Sequence, residues 1–344
     1  MSLAATLLTE ARLDPALQRL DRWENRNSEY GLYAMAVDDT PNLVPAQTLA
    51  DLKTSFNRPV SIPVFDRTTI VPGTTISCNP VGVTPTSALV PVTWQTRSFT
   101  IRIIPIEHDN NEMSLQMTFN QQLNAGIRGV TEAIENDIFT VLDNNRTQNL
   151  NNDLSVFAPF NPATDQIEIP QTSKDQMWSY MRAILGQNDY TPNYHVVNSW
   201  GIEPEKDFYV NQGAGNAANT AFQFADLSFY RSNRVVNAGN QGTGFIMPMS
   251  AIAWVPWVNN QARRGGQAAN GSGLKRWSVA NVPGIGDMAL LENETCADVS
   301  ATISGATAAQ VLDWEYSIEY ALPVTYNSDI ANTSNAIVKF VLQN

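Results

Sequence analysis

Charge is what this 344-residue chain has least of. Asp, Glu, Lys and Arg together make up 16% of it, against roughly a quarter in ordinary soluble domains, while asparagine occurs 34 times. The surface must therefore rely on uncharged polar groups. The centres of interfaces are depleted of charge because each buried ion has to be desolvated and paired, so the balance suits a subunit covered by neighbours. A general preference for asparagine is the plainer explanation. What charge there is sums to -12, with a pI near 4.6, which argues against phosphate binding over the whole surface.

Cysteine and histidine are nearly as scarce. Cys78 and Cys296 lie too far apart for a disulfide framework or a zinc spacing, and both read as free thiols in a reducing cytoplasm. With only His108 and His195, a multi-histidine metal site is excluded, and structural roles are expected of both. No run approaches the roughly 20 apolar residues needed to span a bilayer. The opening MSLAATLLTEARL lacks a basic stretch, and Glu10 ends its apolar run, unlike a secretion signal. A soluble cytoplasmic product is expected. GxSxG, Walker and HExxH motifs are all missing, so no catalytic, cofactor-binding or metal-ligating residue is assigned.

Against these absences stands one strong periodic signal. Leu115, Phe119, Leu123, Ile127, Val130, Ile134, Ile138 and Val141 recur at steps of three and four, which predicts an amphipathic helix from Ser114 to Asn145. Asn110 or Asn111 would cap it, with Glu112 near its first turn. At 1.5 Å per residue it would run roughly 48 Å. Gly126 and Gly129 each weaken it by about 1 kcal/mol relative to alanine, so packing must hold it.

The remaining segments predict an α+β protein. Residues 1–56 read as an arm without its own core, with a short helix starting at Asp14 and Pro15 that aligns Leu17, Leu20 and Trp23. VSIPVFD at 60–66 and WQTRSFTIRII at 94–104 predict a two-stranded β-arm with an irregular Pro/Gly/Thr-rich tip. A second helix is predicted from a Ser173/Gln176 capping box through Met177, Met181, Ile184 and Leu185 to Gly186 as terminator. The stretch 191–310 reads as a β-rich lobe. Two strands end the chain, and the apolar NAIVKFVLQN suits a central position.

Three further clusters carry weaker signals. Gly213-Ala-Gly215-Asn-Ala-Ala218 mimics a dinucleotide fingerprint, but no amphipathic helix follows and Asp226 falls short of the expected interval of about 20 residues. Glu203, Glu205 and Asp207 crowd together near Trp200, the residue types that serve glycoside hydrolysis, without a second carboxylate at a defined separation. Arg263, Arg264, Lys275 and Arg276 lie in a Gly-rich stretch, 261–277, without any acid. It reads as a mobile loop that pairs with an acidic neighbour, and the scarcity of stacking aromatics disfavours single-strand binding.

The order of these parts resembles the Hong Kong 97-like major capsid proteins of tailed bacteriophages over nearly the whole chain. FTIRIIPIEHDNNEMSLQMTFNQQLNAGIRGVTEAIENDIFTVL is similar to that family's passage from the extended E-loop into its spine helix. YHVVNSWG with VVNAGNQGTGFIMPMSAIAWV is similar to its axial-domain core. The resemblance implies an N-terminal arm at 1–56, an E-loop at 57–105, a peripheral domain at 106–190, an axial domain at 191–310, and returning C-terminal strands at 311–344. It further implies a structural protein without enzyme activity that self-assembles into pentamers and hexamers of an icosahedral shell around double-stranded DNA, without sequence-specific binding. A separate scaffolding protein, a portal and decoration proteins are the implied partners. The implied location is the virion, after assembly in the host bacterial cytoplasm. Some members crosslink through an E-loop lysine, yet here no lysine lies between Lys53 and Lys174, so noncovalent closure is expected. An encapsulin-like compartment shares the implied fold, and an acidic carbohydrate-active enzyme is the rival from another class.

Overall fold

Helices dominate the start of the chain: α1 (Leu3–Arg12), α2 (Gly31–Leu43) and α3 (Ala46–Thr54). A two-stranded ribbon follows, β1 (Ser61–Phe65) antiparallel to β2 (Ser87–Pro91), then the strand β3 (Trp94–Ile103) and the long helix α4 (Leu115–Asn144). The structure is a computed structural model. It describes residues 3–12, 30–44, 46–56, 58, 61–65, 87–108, 115–190, 193–207, 227–270, 273–299, 308–324 and 336–344. The helix expected at Asp14, the caps expected at 110–112 and Cys78 lie outside them.

α4 forms where its periodicity predicted, and the buried stripe runs Phe119, Leu123, Ile127, Val130, Ile134, Ile138 and Leu142. Leu142 replaces Val141 at the end, because 3.6 residues per turn carries the stripe slowly around the helix. The first half of the stripe covers a six-stranded sheet. Its strands β10 (Gly266–Asn270), β11 (Gly273–Val282), β12 (Gly286–Ala297), β13 (Ala309–Ala321) and β3 lie in that order, all antiparallel, with β9 (Val255–Trp257) added on β13. β13 alternates strictly: Leu312, Trp314, Tyr316, Ile318 and Tyr320 are buried towards the core, while Asp313, Glu315, Ser317 and Glu319 are half-exposed. This is the period of a strand with one dry face.

The second half of the stripe reaches another sheet, ordered β4 (Phe160–Asn161), β5 (Gln166–Ile169), β14 (Val338–Leu342), β8 (Gly242–Pro248), β6 (Tyr194–Asn198) and β7 (Leu227–Arg231). β6 and β8 are buried at every position. The reason is that α5 (Met177–Gln187) covers one face, through Trp178 against Phe340 and Phe229, while α4 covers the other, through Phe139 against Phe245. β14 lies inside the sheet, parallel to β5 and antiparallel to β8, as its apolar composition predicted.

Three expectations need correction. The predicted arm pairs 60–66 with 94–104, but Ser61 to Phe65 pair with Pro91 to Ser87, and β3 pairs instead with β13 from Trp94↔Ala321 to Ile103↔Leu312. Phe99, Ile101 and Ile103 alternate with Ser98, Thr100 and Arg102, and only the sheet under α4 offers that apolar face a dry surface. The Ser173/Gln176 capping box does not form. Residues Gln171–Gln176 make a 3-10 turn ahead of α5, and no side chain caps the helix at Gln176. Nor does Gly186 terminate it. Asp189 takes the left-handed conformation at φ 58°, and its N–H and that of Tyr190 bond back to Gly186 and Leu185, a Schellman ending. The strands within 191–310 divide between the two sheets.

The arm expected to need a foreign surface rests in part on its own chain. Leu7, Leu8 and Ala11 of α1 and Leu32 to Ala36 of α2 join the core around α4. Val44 and Leu52 pack instead with Val255, Trp257 and Ala321.

Two glycines in α4 separate on substitution. A methyl group added at Gly126 would lie 2.2 Å from the Phe99 ring, which is stacked on Tyr316, whereas at Gly129 nothing lies within 4 Å. In chemical denaturation, Gly129→Ala raises stability by about 1 kcal/mol, while Gly126→Ala lowers it by roughly 1–3 kcal/mol through overpacking. Ile134→Asp places an unpaired charge at a fully buried position and costs roughly 3–5 kcal/mol. A melting temperature equal to that of the unmodified protein would show that the stripe is not buried.

Candidate functional site

The carboxylates at 203–207 were the nearest thing to catalytic chemistry in the sequence, and each described partner of theirs is a cation or an amide. Glu203 accepts from Asn198 Nδ2 at 3.1 Å and Arg231 Nη1 at 3.3 Å, and from Lys206. Burial alone would raise its pKa, but the bonds from Lys206 and Asn198 and the charge of Arg231 outweigh it and hold the group below the usual range. Glu205 accepts from Lys174 Nζ at 3.2 Å, and Asp207 is exposed. Trp200 is covered by the Arg231 guanidinium, 3.7 Å from the ring centroid. A general acid needs a raised pKa and room for substrate. Here Glu203 ties the ends of β6 and β7 together, and Glu205 holds Lys174 of the turn ahead of α5.

His195 is the second residue of β6, almost fully buried, with Nε2 3.5 Å from Asp39 Oδ1 and its ring against Tyr230. Asp39, in α2, also accepts from the backbone N–H groups of Ser250 and Ile252 and from Asn42. Burial raises its pKa, but His195 and the Ser250 N–H more than compensate, and the net shift is downward. The pair bolts α2 to the second sheet and reaches no solvent. His108 ends the 3-10 turn Pro105–His108 that precedes α4. The glycine cluster at 213–218 and Asp226 lie outside the described residues.

The basic stretch 261–277 is not the mobile loop expected of it. Asn259 caps a short helix, α6 (Asn260–Arg264), by accepting from Ala262 N at 2.8 Å, and β10 and β11 form a hairpin. The positive φ of Gly265 makes the junction between helix and hairpin. Arg263 donates to the Ser55 carbonyl and lies over Trp257, while Arg264 lies over Phe56. Across the ladder Arg276 faces Glu292 and Lys275 faces Asn293.

Sequence reasoning missed Glu135, a fully buried carboxylate beside the apolar stripe of α4. The signal was present: Thr131 and Glu135 repeat at an interval of four next to Ile127, Ile134 and Ile138, which puts them on the buried sector. Also missed was an open trough of about 630 Å³ between α1 and the first sheet, bordered by Leu8, Thr9, Arg276, Val279 and Glu292. Exposed apolar side chains form small patches elsewhere: Val156 stands beside Phe157, which stacks on Tyr180, and Met117 and Ile106 lie at the two sides of the entry to α4. Among the described residues no group of three or more His, Cys, Asp or Glu is placed to hold a metal ion. Nor is any helix among them long and apolar enough to cross a membrane. Cys296 is a free, exposed thiol.

If Glu203 is an ionised structural tie, Glu203→Gln lowers stability at neutral pH by about 1–2 kcal/mol. Because its folded pKa is depressed below 4.5, the contribution is present above that pH and is lost as pH falls through the folded value. The stability difference from the parent, followed by urea titration, should therefore shrink towards zero under acid; a difference that grows there would contradict the assignment.

Neither a family model nor a curated protein matches the sequence. Solved structures similar to the chain include a cyanophage Pam1 capsid asymmetric unit, at 10% identity over 86% of this chain and 87% of the other, with a TM-score of 0.47. The capsid of Ralstonia phage GP4 is similar at 9% identity over 83% of each chain, with a TM-score of 0.44. A structure of Mycobacterium phage Che8 is similar at 12% identity over 85% of this chain and 90% of the other, with a TM-score of 0.43.

Proposed function

We propose that this chain is the major capsid protein of a tailed phage, a shell subunit with a Hong Kong 97-like fold. α4 is then the spine helix within a peripheral domain at 106–190. Residues 1–56 are the N-terminal arm, 57–105 the E-loop, 191–310 the axial domain and 311–344 the returning strands. Copies associate into pentamers and hexamers of an icosahedral shell around double-stranded DNA, with a separate scaffolding protein, a portal and decoration proteins as partners. Assembly takes place in the host cytoplasm.

The observation that carries this reading is the contrast between two parts of the molecule. One long helix is shared by both sheets, which makes a single stiff body, while the ribbon β1–β2 pairs with neither sheet. A two-stranded ribbon is marginal alone in water, so it needs a surface, and a neighbouring copy supplies one in a closed ring of heterologous contacts. The low charge fits subunits that bury much of their surface against one another. The tied carboxylates at 203 and 205 weigh against the glycan-hydrolase alternative.

Negative-stain microscopy and light scattering of the expressed chain, alone and with particles from its native source, test the proposal. Closed or ring-shaped assemblies of many copies are expected, with nuclease-protected double-stranded DNA in the native particles. Native shells filled with protein cargo and free of DNA would favour an encapsulin-like compartment. A strictly monomeric species that cleaves glycans would end the capsid reading.

A further inference from the structure

We propose that Glu135 is a proton-operated clamp: its carboxyl holds the N-terminus of α2 against α4, and loss of its proton loosens that hold. The first turn of a helix exposes N–H groups that need acceptors, and Tyr30, which precedes α2, has no side-chain capping bond. The acceptor comes from α4. Glu135 Oε1 accepts from Tyr33 N at 2.8 Å, and Oε2 lies 2.7 Å from Ser232 Oγ, a hydroxyl that donates to the ionised carboxyl and accepts the O–H of the protonated one. Ser232 lies in the turn after β7 and bridges to Tyr30. One carboxyl therefore joins α4, α2 and that turn. The joint is dry and tight, since a methyl group added at Gly31 would lie 2.2 Å from the Arg231 carbonyl oxygen.

The charged groups around the joint are turned elsewhere. Arg234, from the turn, bonds Glu132 on the outer side of α4 at 3.1 Å. Arg231, at the end of β7, bonds Glu203 and covers Trp200. From α2, Asp38 accepts from Tyr230 OH at 3.2 Å and Asp39 faces His195. Among the described residues no cation forms an ion pair with Glu135. Burial nevertheless dominates and pushes its pKa from 4.5 up to about 7, against the opposing bonds from Tyr33, Ser232 and the Leu32 N–H and the nearby positive charge of Arg234.

Lifting α2 would return water to the carboxyl and restore its ordinary acidity. The docked state thus holds the proton more tightly than the lifted one. Docking is strongest below pH 4.5, weakens as pH rises, and changes no further above about 7.

Hydrogen exchange of the intact protein, read by mass spectrometry and corrected for intrinsic exchange at each pH, tests this. The opening equilibrium of the α2 amides from Tyr33 to Ala36 should rise on the order of a hundredfold between pH 4.5 and 7 and then level off. Amides of β14 should not follow. In Glu135→Gln the profile should be flat. Ser232→Ala, which removes one donor but keeps the acid, should retain the rise from a higher baseline, so the proposal does not depend on one variant folding. A flat profile in the unmodified protein would overturn the clamp. A rise that survives in Glu135→Gln would also overturn it.

Discussion

Everything in this fold leans on one buried stripe. α4 is long enough for its first half to lie on one sheet, where Phe119 meets Trp314 at 5.7 Å, and its second half on another, where Phe139 meets Phe245 at 5.9 Å. Its buried side chains form one continuous core with the first sheet and with the face of the second that carries Val197, Phe245 and Met247, while α5 and the opposite face of the second sheet make a separate cluster. Burying a Leu, Ile, Val or Phe side chain contributes roughly 1.5–3 kcal/mol, so seven such positions outweigh the two glycines by a wide margin.

The stripe supplies the attraction but not the register, because apolar contacts tolerate sliding. Register comes from polar side chains beside it. Gln122 bonds both the N–H and the C=O of Arg102, at 3.0 and 3.1 Å, and so closes part of the free edge of β3. Asp137 takes both arms of Arg97 from the same strand and the hydroxyl of Tyr320. The Asp137 carboxylate and burial together keep that phenol well above its ordinary pKa. Asp143 receives Lys339 of β14 at 2.7 Å, and Glu135 takes α2. Each neighbour of the helix is thus fixed by a different polar residue.

This division accounts for the low charge of the chain. The few ionic groups near the core sit at joints between elements, where a desolvated bond gives geometry that dispersion cannot. The uncharged amides and hydroxyls in which the chain is rich can be buried against a neighbour at lower cost than ions.

By itself the sequence determined what depends on local periodicity: the extent of α4, the alternation of β13, and the interior place of β14. These features follow from the side-chain pattern of one segment meeting one dry face. The pairing of β1 with β2, the assignment of β3 to β13, and the division of 191–310 between two sheets were decided only by the tertiary structure. Strand pairing belongs to two segments at once, and 94–104 suits any partner that offers a dry face. The same holds for the polar groups. Glu135, Asp39 and Glu203 look alike in the sequence, and only their surroundings make one a carboxyl held near neutrality and the other two anions held by N–H donors and basic side chains.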